Sequence, residues 1–376
     1  MPVGKVTDFE MHPFDGQMML LWSEDRPNAA TAIRRMIVNH ELQVTKPAYD
    51  LMLVPTGISS TSFEGLHPLQ HLFSADTVSG EAGQDDWGLF HTLGKEYRLK
   101  LYDGDTVTAT ATAKTTENGE GAMSYLQYSA YDQRWHVPYY AVCQGFHLCT
   151  YLEAYDSQGM PKRYTSLMEG DVSHELYPSV AAGPAGLLVG LVKHPKNGYG
   201  PGGGVETRLF GWGNARTDKT HEYILDGKPY KHDEFSVTAW NGSYAMMFRE
   251  SVEKTSGYPW GEPGDWITSL AIFDRDWRGY TLMWIRTLQT QGFSPIGRSM
   301  RLQAYRNGFL ATYPIDEGGV WRPVWQAVSV EGVVGDQMRF DVTVNDAFAA
   351  VGIAEGVYTA NFGPDGLRMH RFLCEQ

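Results

Sequence analysis

A recurring hairpin constrains this chain more than any other feature: a short strand, a tight polar turn, then a strongly apolar strand. FEMHPFDGQMMLLWSED (9–25) resembles YPSVAAGPAGLLVGLVKH (177–194). Both resemble FSVTAWNGSYAMMFRES (235–251), RLQAYRNGFLATYPID (301–316) and VTVNDAFAAVGIAE (342–355), with YYAVCQGFHLCTYLEAY (139–155) a looser sixth copy. The turns Asp15-Gly16, Asn241-Gly242 and Asn307-Gly308 carry the residues that two-residue hairpins demand. Further turns follow at Tyr155–Gly159, Phe273–Gly279 and Phe362–Gly366. Helical periodicity is nearly absent: Thr31–Val38 and Leu66–Phe73 are its best stretches, and neither sustains three turns.

Self-similar strand units at a period of about 40–65 residues are the signature of a β-propeller. A lone four-stranded blade leaves both faces in water, so blades stack until a ring closes. The expectation is therefore an all-β fold, a single β-propeller domain over residues 1–376. Seven blades are favoured, six or eight being the alternatives. Closure is expected from the last segment, Leu367–Leu373, pairing with N-terminal strand material. Two packed β-domains are the competing architecture.

DWITSLAIFDRDWRGYTLMW (265–284) resembles the sialidase-type propellers, whose blades carry Asp-box hairpins: a strand enters an Asp/Gly turn and a Trp follows. The box is degenerate, with Ile272 where Ser or Thr belongs before Asp274, and Gly279 arriving late. The family's arginine triad and Tyr/Glu pair have no matching positions. The resemblance thus implies a fold and carries over no catalytic residue.

Composition narrows the partners. The net charge of −13 and the lack of a dense Lys/Arg run argue against nucleic acid. No apolar run approaches about 18 residues, so no membrane insertion is expected. The N-terminus lacks an apolar signal core, which reads as cytoplasmic or already processed. Cys143, Cys149 and Cys374 cannot all pair and read as buried thiols. GYGPGGG (198–204) lacks the Lys-Ser/Thr ending of a phosphate loop, and His67 and His71 lack a third ligand. No cofactor and no metal are expected. Oligomeric state is left open by the sequence.

In a propeller the loops joining second and third strands gather on one face. The long loops 23–31, 194–205, 250–266 and 314–321 are assigned there, with 76–87 as a fifth. Polar residues at the strand ends beside them are the catalytic candidates: Glu24, Asp25, Arg249, Glu250 and Asp316. Ligand-binding candidates are Arg26, His194, Tyr199, Tyr258, Trp260, Glu262, Asp265, Trp266, Glu317 and Trp321. Aromatic faces beside carboxylates suit sugars: ring CH groups stack on the arene while acids accept hydroxyl hydrogen bonds. The function expected is binding of a small molecule or glycan, with cofactor-free hydrolase, lyase or cyclase chemistry as its extension. The alternative is a structural or interaction module, such as a virion or surface-assembly component. There the same loops would grip a protein partner, since Tyr, Trp and Arg also anchor interfaces.

Overall fold

The computed structural model describes residues 4–26, 30–55, 72–93, 96–113, 121–123, 125–142, 148–163, 176–193, 204–210, 212, 216–223, 230–240, 242–253, 263–273, 282–290, 300–343 and 346–373. Their strands pair into seven sheets, with neighbours antiparallel and in chain order. The first holds β1 (Val6–Phe14), β2 (Gln17–Arg26), β3 (Ala30–Val38) and β4 (Val44–Pro55). The second holds β5 (Phe73–Thr77), β6 (Asp86–Leu93), β7 (Glu96–Asp103) and β8 (Thr106–Thr112). In the third, β9 (Gly121–Met123) pairs with β11 (Arg134–Val142), which sits between β10 (Gln127–Ser129) and β12 (Leu148–Tyr155), with β13 (Pro161–Arg163) outermost.

The fourth sheet is β14 (Leu176–Gly183), β15 (Gly186–Lys193), β16 (Gly204–Phe210) and β17 (Arg216–Tyr223). The fifth is β18 (Tyr230–Trp240), β19 (Ser243–Glu253), β20 (Pro263–Phe273) and β21 (Leu282–Thr290). The sixth is β22 (Arg301–Tyr305), β23 (Gly308–Glu317), β24 (Val320–Ser329) and β25 (Met338–Arg339). The seventh has three strands, β26 (Phe348–Ile353), β27 (Gly356–Gly363) and β28 (Gly366–Leu373).

Contacts divide the chain into two compact units. One is Met1–Val137 with Glu153–Lys162 and Phe340–Gln376; the other is Pro138–Leu152 with Arg163–Arg339. In the first, the leading strands stand side by side: β26 beside β1, β1 beside β5, and β5 beside β10. In the second, β14 stands beside β18 and β18 beside β22. Successive meanders packed through their leading strands are the β-propeller arrangement, and the fold class is all-β.

Side-chain alternation explains why the second strands read as unbroken apolar runs. On β2, Met19 and Leu21 pack against Phe73, Leu89 and Trp87 of the second sheet. Met18, Leu20 and Trp22 point the other way, against Val351, Tyr358 and Ala360 of the seventh. A strand covered on both faces has no polar side to show, and each such side chain contributes about 1.5–3 kcal/mol of burial. The second unit repeats this between its fifth and sixth sheets, through Met247, Leu270 and Ile272 against Leu302, Phe309 and Tyr313. Thr31–Val38 lies in β3, where β-branched residues pack on a pleated surface.

A second device repeats between leading strands. Ser74 Oγ accepts from the Leu126 N–H at 2.9 Å, Ser179 Oγ from Val237 at 3.1 Å, and Ser236 Oγ from Leu302 at 3.0 Å. In the first sheet Glu10 takes the serine's place, accepting from the Ala75 N–H at 2.8 Å. A leading strand pairs on one edge only, so its other edge needs acceptors, and the preceding sheet supplies them.

Several expectations need correcting. Asp15 and Gly16 do form a type I′ turn, with φ of 47° and 64°. In the sixth sheet, however, the turn is Arg306-Asn307, and Gly308 opens β23 pressed against the Val328 carbonyl, where a Cβ has no room. The copy at 139–155 spans β11 and β12, a second-to-third hairpin, and the copy at 342–355 turns at Ala354-Glu355. Among the described residues β28 pairs with β27, and β1 with β2 in another sheet. Among the described residues the N- and C-terminal sheets meet by face packing and share no strand.

Candidate functional site

Strand order fixes which loops share an end of a sheet. Loops joining second to third strands lie at one end; those joining first to second and third to fourth lie at the other. Segment 78–85 joins β5 to β6, so the 76–87 stretch lies at the end opposite the expected rim. The 314–321 segment does join a second to a third strand, but as a two-residue turn, Gly318-Gly319, at φ of 66° and 88°.

Glu24, a catalytic candidate, is 3% exposed near the end of β2. Its carboxylate accepts from Arg34 Nη1 at 3.0 Å, Arg26 Nη1 at 3.3 Å, Trp22 Nε1 at 3.4 Å and the Gly4 N–H at 3.4 Å. Arg26 and Arg34 each also reach Asp50, at 2.6 and 3.1 Å. Burial pushes the Glu24 pKa up, but the hydrogen bonds from Arg34 and Trp22 and the two cations outweigh it and hold it below the ordinary value. Two acids and two guanidiniums cancel, so this group reads as an ionic brace across β2, β3 and β4. Asp25, one residue on, faces the opposite side, exposed, and accepts from Thr31 Oγ1 at 3.3 Å. Glu24 and Asp25 therefore do not form a catalytic pair.

Glu317 pairs with Arg339 at 2.7 Å and Arg322 at 3.2 Å. Trp321 is half-buried opposite Asp316 in the β23–β24 ladder. Arg249 and Glu250 lie in β19, opposite Thr268 and Ile267, and Asp265 and Trp266 lie in β20. The side chains of Arg249, Glu250, Asp265, Trp266 and Asp316 are outside the description, as are His194, Tyr199, Tyr258, Trp260 and Glu262 altogether.

The concave site lies elsewhere, at the turn end of the second and third sheets. It is a cleft of about 350 Å³ whose walls include Asp86, Tyr102, Tyr128, Asp132, Arg134, Asp156 and Lys162. Its floor is built by aromatic packing. Trp87, fully buried, stacks on Tyr102 with centroids 4.2 Å apart and planes 11° apart, and donates from Nε1 to the Gly104 carbonyl at 2.8 Å. Trp135 tilts against Tyr128 at 4.9 Å. Gly88 gives Trp135 its seat, since a Cβ there would lie 2.8 Å from the indole.

Behind the floor stands Arg35, 1% exposed. It donates to the Gly104 carbonyl at 3.0 Å and to Asp105 at 2.5 Å, between the faces of Phe14 and Trp87. Lys46 and Tyr49 also bind Asp105. Burial pushes the Tyr102 hydroxyl up to about 12, with Tyr49 adding and Arg35 opposing.

The cleft's acids differ in state. Asp86 sits directly opposite Asp103 in the β6–β7 ladder. Burial, then Asp103 and Asp85, push its pKa up. Asp132 Oδ1 lies 3.1 Å from His136 Nε2, and Oδ2 lies 3.7 Å from Arg134. Burial raises Asp132 too, but the His136 hydrogen bond and charge, Ser129 and Arg134 more than offset it and hold it low. Burial also raises the Tyr128 hydroxyl, with Asp132 and Asp86 adding to it.

Sequence reading passed over this cleft, although two turns marked it. Tyr131-Asp-Gln-Arg-Trp and Tyr155-Asp-Ser-Gln-Gly both place Asp after Tyr, one in the β10–β11 turn and the other in the β12–β13 turn of the same sheet. Among the described residues no three or more His, Cys, Asp or Glu side chains are placed to hold a metal, and no helix is long and apolar enough to cross a membrane.

No protein-family model and no curated protein matches the sequence. Solved structures do resemble it. SapL1 lectin in complex with alpha methyl fucoside is 10% identical with a TM-score of 0.44, over 99% of this chain and 97% of that one. A subtype N11 neuraminidase-like protein of A/flat-faced bat/Peru/033/2010 is 10% identical with a TM-score of 0.44, over 93% and 91%. The alpha-L-arabinofuranosidase from Lactobacillus brevis is 11% identical with a TM-score of 0.38, over 75% and 88%. The sheet topology carries the propeller assignment by itself: the class is an all-β, propeller-type protein with an acidic, aromatic cleft.

Proposed function

We propose that this propeller binds a small polar ligand, a saccharide by preference, in the cleft between its second and third sheets. The observation that supports it is the cleft's chemistry. Tyr128, half-buried, offers a ring beside Asp86, Asp132 and Asp156, with Arg134 and Lys162 on the same walls. The volume falls in the range of small-molecule sites, about 300–1,000 Å³. Tyr131, 53% exposed, extends the aromatic surface beyond the Asp132 turn.

Hydrolysis is the second reading, and one contrast favours it: Asp86 is pushed toward the protonated form while Asp132 is held ionised. Acid–base pairs in glycoside cleavage need such a division. Arg249, Glu250, Asp316 and the loop aromatics are proposed as a second ligand rim at the other end of their sheets. The chain is further proposed to be one domain of seven blades, which predicts a single cooperative unfolding transition.

The test is a saccharide panel read by saturation-transfer NMR and calorimetry on the purified protein. Tyr128→Ala and Asp132→Asn should each weaken binding at least tenfold. Absence of saccharide binding, or binding that survives both cleft variants, refutes the assignment.

A further inference from the structure

The floor of the cleft holds an indole N–H without a partner. Trp135 lies on β11, 3% exposed, and lines the cleft. Buried indole N–H groups ordinarily find an acceptor, and other tryptophans of the chain do. Trp87 donates to the Gly104 carbonyl at 2.8 Å, Trp22 to Glu24 at 3.4 Å and Trp212 to the Gly183 carbonyl at 3.0 Å. Among the described residues no group accepts from Trp135, and its nitrogen is not among the polar atoms sealed from solvent. The Cε3–Cζ3 edge of the ring is the one seated on Gly88, and the N–H lies on the opposite edge. The little surface that Trp135 keeps therefore includes a donor opening into the cleft.

Asp86 is its counterpart. It stands two residues before Gly88 on β6, hence on the same face and about 7 Å away along the strand. The other wall acids are engaged: Asp132 by His136 and Arg134, and Asp156 Oδ1 by the N–H groups of Gln158 and Met160, both at 2.9 Å. Asp86 has no hydrogen bond or ion pair among the described residues; Asp103 faces it across the ladder and Asp85 adjoins it. Of the cations on the walls, Arg134 is turned to Asp132, and Lys162 is exposed on the outermost strand, β13.

We propose that the cleft selects an amino sugar: its protonated amine meets Asp86 beside the Tyr128 ring, while a sugar oxygen accepts from Trp135 Nε1. This rests on the saccharide reading above and specifies the charge of the sugar. A neutral sugar leaves Asp86 facing Asp103 as before, whereas an ammonium relieves that repulsion. An acidic sugar would meet the carboxylates of Asp85, Asp86 and Asp103 at one wall.

Chitobiose, N,N′-diacetylchitobiose and cellobiose share one ring framework and differ in carrying an ammonium, an acetamide or a hydroxyl at C2. Calorimetry, at a pH that keeps the sugar amine charged, should show chitobiose binding about tenfold tighter than either relative. Asp86→Asn should erase that margin. Indole-15N labelling follows the second contact on the unmutated protein, with Trp135→Phe identifying the signal. The Trp135 N–H resonance should move downfield and exchange more slowly as sugar fills the cleft. Equal or tighter binding of cellobiose overturns the amine assignment while leaving the cleft a saccharide site. A margin that survives Asp86→Asn also overturns it, and marks general attraction to a chain of net charge −13. An indole signal that stays put under a sugar whose binding Tyr128→Ala abolishes overturns the Trp135 contact. No binding by any of the three refutes the saccharide reading itself, and this inference with it.

Discussion

Mild acid should destabilise this protein through His91. The imidazole is fully buried on β6, across from Phe73 and Arg98. Burial lowers its pKa from 6.5 to about 4; a hydrogen bond to the Thr92 carbonyl at 3.2 Å opposes this, and Lys100 and Arg98 add to it. The folded state therefore binds this proton less readily than the unfolded chain does. Stability is complete above the unfolded pKa and is lost as pH falls from 6.5 toward 4. At about 1.36 kcal/mol per pH unit, the loss is about 2 kcal/mol at pH 5 and about 3 kcal/mol below pH 4. The carboxylates held low, Glu24, Asp105 and Asp132, lose their contribution only below their unfolded values of 3.8 to 4.5, and the raised Asp86 acts in the opposite sense, so a loss between pH 7.5 and 5.0 reports chiefly on the histidine. Urea unfolding at pH 7.5 and pH 5.0 measures the effect. His91→Asn keeps an N–H near Nδ1 for the Thr92 carbonyl and costs about 1–3 kcal/mol at both pH values through lost packing. It should nevertheless flatten the difference between them. A variant with the same pH dependence as the parent refutes the reasoning.

Gly88→Ala should displace Trp135, costing about 1–3 kcal/mol in urea unfolding and shifting the indole fluorescence as the cleft floor moves. Asp105→Asn leaves the buried Arg35 guanidinium without its counter-ion and should cost about 3 kcal/mol, discounted because Asp105 itself is half exposed; an unchanged melting temperature would show that the Gly104 carbonyl and the Tyr49 hydroxyl satisfy Arg35 without the charge. Ser236→Ala strands the Leu302 N–H between two leading strands and should cost about 1–3 kcal/mol, with faster exchange of that one amide.

The propeller class was legible because its burial pattern is written twice over: Met18 to Trp22 is apolar on both faces, and Asp15-Gly16 has the chemistry of its turn. Hairpin position within a sheet was not. Any two adjacent strands of a meander alternate alike, so 139–155 matched the other copies while joining the second and third strands of its sheet. The side-chain pairing of the candidate acids was not legible either, for a related reason. Acids at the ends of second strands look available in sequence, but Glu24 and Glu317 each have two arginines within 3.3 Å. Arg26 and Arg322 are near in sequence, yet that their guanidiniums turn onto these acids, joined by Arg34 and Arg339 from other strands, is set by the ladders and not by spacing. The 76–87 stretch, expected as a fifth rim loop, joins a first strand to a second, and its end of the sheet follows from that order alone.

Charge pairing now separates the two kinds of acid. Glu24 and Glu317 face cations, so ionising them is compatible with folding. Asp86 faces Asp103 directly across a ladder, with Asp85 adjacent, an arrangement that costs stability whenever all are ionised. Such a cost at a concave surface supports the proposed reading of the cleft as a ligand site. Asp86→Asn removes the repulsion and should stabilise the protein by about 0.5 kcal/mol at pH 7, a small figure because the group is largely exposed. The sign reverses that of His91: the folded pKa of Asp86 is raised, so the penalty exists above it and disappears as pH falls through it. The gain from the variant should accordingly vanish in acid, and ligand affinity should fall even as stability rises. If Asp86→Asn destabilises the protein at pH 7, or leaves saccharide binding intact, Asp86 belongs to the scaffold and the cleft must be assigned through Asp132 and Tyr128 alone.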